Sequence, residues 1–175
     1  MPTLRTIYVQ DAHVGTDEYL LVSDVSDQLL QHLNSPEARE LLQAANKPRM
    51  SSAAVQATFS RFSAGLGFVD EAKGLFAEYP NKSLRPDFFL NFGDTGILME
   101  VERGKTTINN MDLLDMWKCH LCLHADYLFL MVPQALVQNS AGKIKREYDY
   151  VVKRLESFFM PGGLTNVRAV HIFGY

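Results

Sequence analysis

Residues 85–105 read Arg85-Pro86-Asp87-Phe88-Phe89-Leu90-Asn91-Phe92-Gly93-Asp94-Thr95-Gly96-Ile97-Leu98-Met99-Glu100-Val101-Glu102-Arg103-Gly104-Lys105. Two strand-like runs, 85–92 and 97–103, flank Gly93-Asp94-Thr95-Gly96, where Asp and Gly allow the positive φ values that a hairpin turn needs. Side chains alternate between the faces of a strand. Glu100 and Glu102 therefore share one face, about 7 Å apart at Cα, while Met99 and Val101 point to the other. Asp87 begins the partner strand, and pairing across a short turn brings it beside Glu100, at the roughly 5 Å of cross-strand neighbours. Carboxylates crowded so closely repel one another. A divalent cation removes that penalty, and an all-oxygen site that keeps several waters suits magnesium. Glu-Val-Glu by itself is also what a half-exposed antiparallel strand carries. The chemistry lies in the combination: Pro86-Asp87 opens one strand, the acidic pair lies on the next, and Arg103-Gly104-Lys105 follows at once.

Upstream, Ser51 or Ser52 caps a helix whose apolar residues Val55, Phe59, Phe62 and Leu66 recur at spacings of four, three and four, with Gly65 and Gly67 ending it. A segment from Phe68 leads to the turn signal Pro80-Asn81. Downstream, residues 111–125 read as a helix and Tyr127 to Val132 as a fully buried strand. A further amphipathic helix follows, with Ile144, Tyr148, Val151, Leu155 and Phe158 as its buried stripe, then a strand over Val167 to Phe173. From residue 51 the order is helix, three strands, helix, strand, helix, strand. Before it, Ile7-Tyr8-Val9 and Tyr19-Leu20-Leu21-Val22 read as strands, followed by helices from about Asp24 to Leu33 and from Ser35-Pro36 to Asn46. That helix pair reads as a packed hairpin, with a DNA-reading helix-turn-helix as the alternative. No linker splits the chain. The expectation is one α/β (α+β) domain over 1–175, with 1–50 decorating a core over 51–175 that has a central mixed sheet flanked by helices.

Together these residues resemble the PD-(D/E)XK nuclease superfamily. Pro86-Asp87 matches its PD element, and Glu100-Val101-Glu102 stands where the family has (D/E)-X-K, in the form of the E-X-E variant of the BamHI/BglII-like restriction endonucleases. The resemblance runs from the helix at 51–66 through the strand at 127–132. It implies a restriction-endonuclease-like core of order α-β-β-β-α-β and an Mg²⁺-dependent (or Mn²⁺-dependent) endonuclease acting on DNA. Asp87 and Glu100 would hold the metal on a phosphate oxygen, and Glu102 would either accept the proton of the attacking water or ligate a second metal. Because Glu102 replaces the motif lysine, another cation must stabilise the developing charge. Lys105 and Lys118 are the candidates, with Arg103 third, and each is otherwise an ordinary surface or snorkelling cation. Cutting both strands of a duplex favours a homodimer.

Composition is neutral on this reading. The chain has 175 residues, 47% hydrophobic and 21% charged, enough for a sizeable core. A net charge of −3 and a pI near 5.9 argue against nucleic-acid binding by bulk positive charge, yet clustered metal-binding acids lower the net charge by themselves. Met1 to Arg5 lacks the apolar core of a secretory signal and no apolar run is long enough to span a bilayer, so the expected location is the cytoplasm, without a membrane.

Other motifs carry less. Gly104-Lys105-Thr106-Thr107 imitates the end of a P-loop, but the glycine required five residues earlier is Met99. Such a turn can still set backbone N–H groups, Lys105, Thr106 and Thr107 against a DNA phosphate, or be a plain polar loop. Cys119, His120, Cys122 and His124 imitate a zinc signature, but on one helix the cysteines and histidines face different ways. Asp112 and Asp115 read as favourable charges near a helix N-terminus. The competing functional reading is a non-catalytic module that binds nucleic acid or protein on a nuclease-like scaffold. A further one is an unrelated α/β domain in which the three carboxylates lie apart.

Overall fold

The computed structural model describes residues 1–47, 50–70, 74–80, 82, 84–104, 106–137 and 144–175. The chain opens with strand β1 (Leu4–Val9) and continues into helices α1 (Asp17–Leu33), α2 (Pro36–Ala45) and α3 (Ser52–Gly65). Each helix starts on a hydroxyl cap: Thr16 accepts from Tyr19 N–H, Ser35 from Ala38 N–H and Ser51 from Ala54 N–H. After α3 come β2 (Val69–Asp70), β3 (Phe88–Asn91), β4 (Gly96–Val101), α4 (Met111–Leu121), β5 (Tyr127–Val132), the short pair β6 (Leu136–Val137) and β7 (Ile144–Lys145), α5 (Glu147–Glu156) and β8 (Ala169–Gly174).

Six strands form one mixed sheet in the order β1-β8-β5-β4-β3-β2. β5 lies parallel to both β4 and β8, while β1, β3 and β2 pair antiparallel with their neighbours. Every residue of β5 is fully buried. A strand covered on both faces must be apolar throughout, which is why this run shows no alternation. Burying each such Leu, Phe or Val is worth about 1.5–3 kcal/mol. One face of the sheet packs Ile97, Met99, Val101, Phe129 and Phe173 against α1–α3. The opposite face packs Leu98, Leu128, Leu130 and Ile172 against α4 and α5. Among the described residues no helix is long and apolar enough to cross a membrane.

The β3–β4 hairpin forms where the sequence puts it, with Gly93 at φ 91° in the turn. Gly96 closes it tightly: a Cβ there would lie 2.5 Å from the Leu90 carbonyl oxygen. Both strands are shorter than expected from the apolar runs, so Asp87 and Glu102 flank the ladder rather than lie within it.

Four sequence expectations are corrected. Tyr19–Val22 is not a strand but the first turns of α1. The period is 3.6, with Val22, Ser26, Leu29 and Leu33 facing inward while Leu20 and Leu21 remain exposed. Residues 4–9 are more than decoration, since β1 hydrogen-bonds along the whole of β8 and forms an edge of the central sheet. Ile144 is exposed on β7 and does not belong to the α5 stripe, which starts at Tyr148. The helix expected over 111–125 ends at Leu121, with Cys122 already extended.

Candidate active site

Alternation along β4 sets the site. Ile97, Met99 and Val101 face α1–α3, so Glu100 faces α4. The register Phe88↔Met99 brings the preceding residue, Asp87, opposite Glu100, and the Asp87 N–H donates to Glu100 Oε2 at 3.3 Å. The reading in which these carboxylates are scattered is therefore excluded for Asp87 and Glu100. Asp87 is held from two sides: Oδ2 accepts the Val101 N–H at 2.8 Å and Oδ1 accepts the Gln56 side-chain amide of α3 at 2.7 Å.

Helix α4 supplies the other wall. Asp112, Asp115, Met116 and Cys119 recur on its buried face, and Lys118 lies one turn from Asp115. Lys118 Nζ donates to Glu100 Oε1 at 2.6 Å and to Asp115 Oδ1 at 3.3 Å. Glu100 is 4% exposed and Asp115 1%. Asp115 Oδ2 is buried with no hydrogen-bond partner. Neither Asp115 nor Gln56 was singled out as a site residue from sequence. The i, i+3 spacing of Asp115 and Lys118 on a helix facing the acidic strand was the available signal for the first; nothing local marks Gln56.

The electrostatics follow from this crowding. Burial and the Asp115 charge push the Glu100 pKa well above the usual carboxylate range, with Lys118 opposing them. Burial again, then Asp115 and Asp87, raise Glu102 to about 7. Asp115 rises to about 6, mainly through burial, against the pull of Lys118. Burial works against the charge of Lys118, but Glu100 and Asp115 outweigh it and raise its pKa.

Glu102 lies just past β4. Its N–H donates to Met131 O and its carbonyl accepts the Tyr175 hydroxyl, which fixes the backbone there. Arg103 donates to the Lys47 carbonyl. Lys105 lies outside the described residues. The loop that follows does not present its threonines as the P-loop-like turn suggested. Thr106 is fully buried, and the Thr107 N–H and hydroxyl both donate to Glu147 Oε1, at 2.7 and 3.0 Å. Lys145 pairs with Glu147 at 2.8 Å, and Arg154 pairs with Asp112 at 3.2 Å and donates to Thr107 O. The loop is thus stapled to α5. Cys119 and Cys122 are buried free thiols, and His120 Nδ1 accepts the Asn166 N–H.

Hard oxygen donors, a surplus of negative charge and the orphaned Asp115 oxygen fit a divalent cation by donor chemistry. They do not form a ready shell: among the described residues no three His, Cys, Asp or Glu side chains stand together as a metal-binding group. Instead, Lys118 holds Glu100 Oε1, and the Val101 and Gln56 donors orient Asp87.

The mixed sheet, its helical layers and the acidic hairpin define a restriction-endonuclease-like fold. In particular, the chain is similar to the solved restriction endonuclease BglII complexed with a DNA 16-mer, with a TM-score of 0.50 over 99% of this chain and 78% of that one, at 10% identity. No family model and no curated protein matches the chain.

Proposed function

We propose that the chain is an Mg²⁺-dependent endonuclease that hydrolyses phosphodiester bonds in DNA, of restriction type and acting as a homodimer. The observation that carries this reading is the surplus of buried acid around Glu100, with one oxygen of Asp115 left unpaired in the interior. An unpaired buried carboxylate oxygen is costly unless a cation completes it. The DNA-bound neighbour supports nucleic acid as the substrate.

Asp87, Glu100 and Asp115 would hold Mg²⁺ or Mn²⁺. When bound, the cation supplies a Lewis acid for a phosphate oxygen and lowers the pKa of a coordinated water. Glu102, with a pKa near 7, is matched to take a proton at neutral pH. Gln56 and the Val101 N–H orient Asp87, so this carboxylate needs little rearrangement during the reaction. Among the described residues Lys118 is the ammonium paired with these acids, and it replaces the missing motif lysine in stabilising charge on the phosphate. Arg103 and, by its place in the sequence alone, Lys105 would approach the DNA backbone.

The test is cleavage of plasmid, linear and single-stranded DNA with Mg²⁺ or Mn²⁺ by wild type and Glu100→Ala. Metal-dependent cutting that vanishes in the variant supports the proposal. Metal-independent DNA binding without cutting by either protein favours a non-catalytic module on the same scaffold. The closed Lys118–Glu100 contact is what favours that second reading.

A further inference from the structure

Lys118 is where a cation already stands in this cluster. Its Nζ lies 2.6 Å from Glu100 Oε1 and 3.3 Å from Asp115 Oδ1, and its side chain is 14% exposed. The buried neighbours Met116 and Cys119 on α4 fix the start of the stem, while that residual exposure leaves an exit for its flexible tail. Glu100 has two oxygens: Oε1 is taken by the ammonium and Oε2 by the Asp87 N–H. A metal cannot share Glu100 Oε1 with the ammonium without setting two like charges side by side in a buried pocket. The orphaned Asp115 Oδ2 shows that Lys118 alone does not satisfy the acids it touches.

We infer that Lys118 exchanges with the divalent cation at Glu100: it closes the acidic cluster in the metal-free protein and leaves Glu100 when the metal binds. Released, its ammonium moves toward the solvent that its side chain already partly reaches, where a substrate phosphate would approach. The inference rests on the metal-dependent reading of the site and adds a coupling between metal binding and the position of one side chain. It explains why the acids form no ready metal shell while Lys118 is docked.

The test uses the full chain with Ca²⁺, followed by calorimetry for binding and by reductive methylation with mass spectrometry for each lysine. In metal-free protein Lys118 is among the slowest lysines to react. At saturating Ca²⁺ its rate rises at least about five-fold, because a hydrogen-bonded, buried amine becomes free, while the exposed Lys47, Lys82 and Lys153 keep their rates. Lys118→Met binds Ca²⁺ at least as tightly as wild type, since no ammonium must be displaced. A Lys118 rate that is unchanged or slower with metal overturns the exchange, as does weaker binding by Lys118→Met or no Ca²⁺ binding by wild type. If Ca²⁺ releases Lys118 but no nucleic acid is cut with Mg²⁺ or Mn²⁺, the nuclease reading fails and the exchange stands. If DNA is cut while Lys118 stays protected, only the exchange fails.

Discussion

Glu100 and Glu147 are both buried glutamates with a lysine within 2.8 Å, yet their protonation is driven in opposite directions. Around Glu147 burial is overcome by Lys145 and by the Thr107 N–H and hydroxyl, so its pKa lies below the usual range. Its neighbour Asp112 is paired with Arg154, so two acids meet two bases, although burial still raises Asp112 and neither of its carboxylate oxygens accepts a hydrogen bond. Around Glu100, Asp115 and Asp87 add negative charge and Lys118 is shared between Glu100 and Asp115. A fold that only needed to hold α4 on the sheet has the first pattern available and uses it one turn away. Keeping the second costs stability, which is reasonable where the charge surplus serves a ligand.

The first way to break this contrast is to remove one acid from each cluster. Glu100→Ala lowers metal-dependent DNA cleavage by at least about 10³-fold, roughly 4 kcal/mol in the barrier, with the fold intact. Glu147→Gln leaves cleavage within about ten-fold, because its partners staple the loop and do not reach the acids. Equal losses, measured as initial rates at saturating metal, would show that the two clusters are not distinct in role.

The second concerns stability. Arg154→Met strips Asp112 of its cation and takes donors from Thr107 O and Asn110, so it lowers unfolding free energy by about 3 kcal/mol in urea titration. Asp115→Asn, which removes charge from the surplus cluster, is neutral or stabilising in metal-free protein. The contrast fails if both variants are destabilised alike.

How much of this was legible beforehand depended on the range of the interaction. The hairpin, β5 and α3 were readable because turn chemistry, an unbroken apolar run and a 4-3-4 stripe act locally. Tyr19–Val22 misled because a four-residue apolar run satisfies both periods, and only the later Ser26, Leu29 and Leu33 reveal the helical one. The approach of Asp87 to Glu100 followed from short-range pairing. Asp115 did not, because its partner depends on how α4 crosses the sheet. Gln56 lies 31 residues from Asp87, a separation that no motif spans.

A third prediction follows from pH. Glu102 rises to about 7 and Asp115 to about 6, both above their unfolded values. A carboxylate raised on folding binds more protons in the native state between the two pKa values, so stability falls as pH rises through that window. Metal-free protein therefore loses several degrees of melting temperature between about pH 5 and 7.5 relative to a Glu102→Gln variant. Saturating Mg²⁺ restores it. A wild-type curve parallel to that of the variant would mean that Glu102 carries no such strain.

The smallest effect is expected at Gln56, and it separates orientation from charge. Gln56 brings no charge to the cluster; it donates one hydrogen bond to Asp87 Oδ1, while Oδ2 keeps the Val101 N–H. Losing one of these restraints lets the carboxylate rotate without expelling it. Gln56→Ala is therefore expected to lower kcat about ten-fold, near 1.4 kcal/mol, with metal affinity changed much less. Gln56→Glu puts an additional acid against Asp87 and lowers kcat further unless it is protonated, so its rate recovers as pH falls, whereas that of Gln56→Ala does not. A residue that only packed α3 against the hairpin would give both variants the same pH profile and a matching loss of stability. A difference between the profiles assigns Gln56 to the orientation of Asp87 within the crowded cluster.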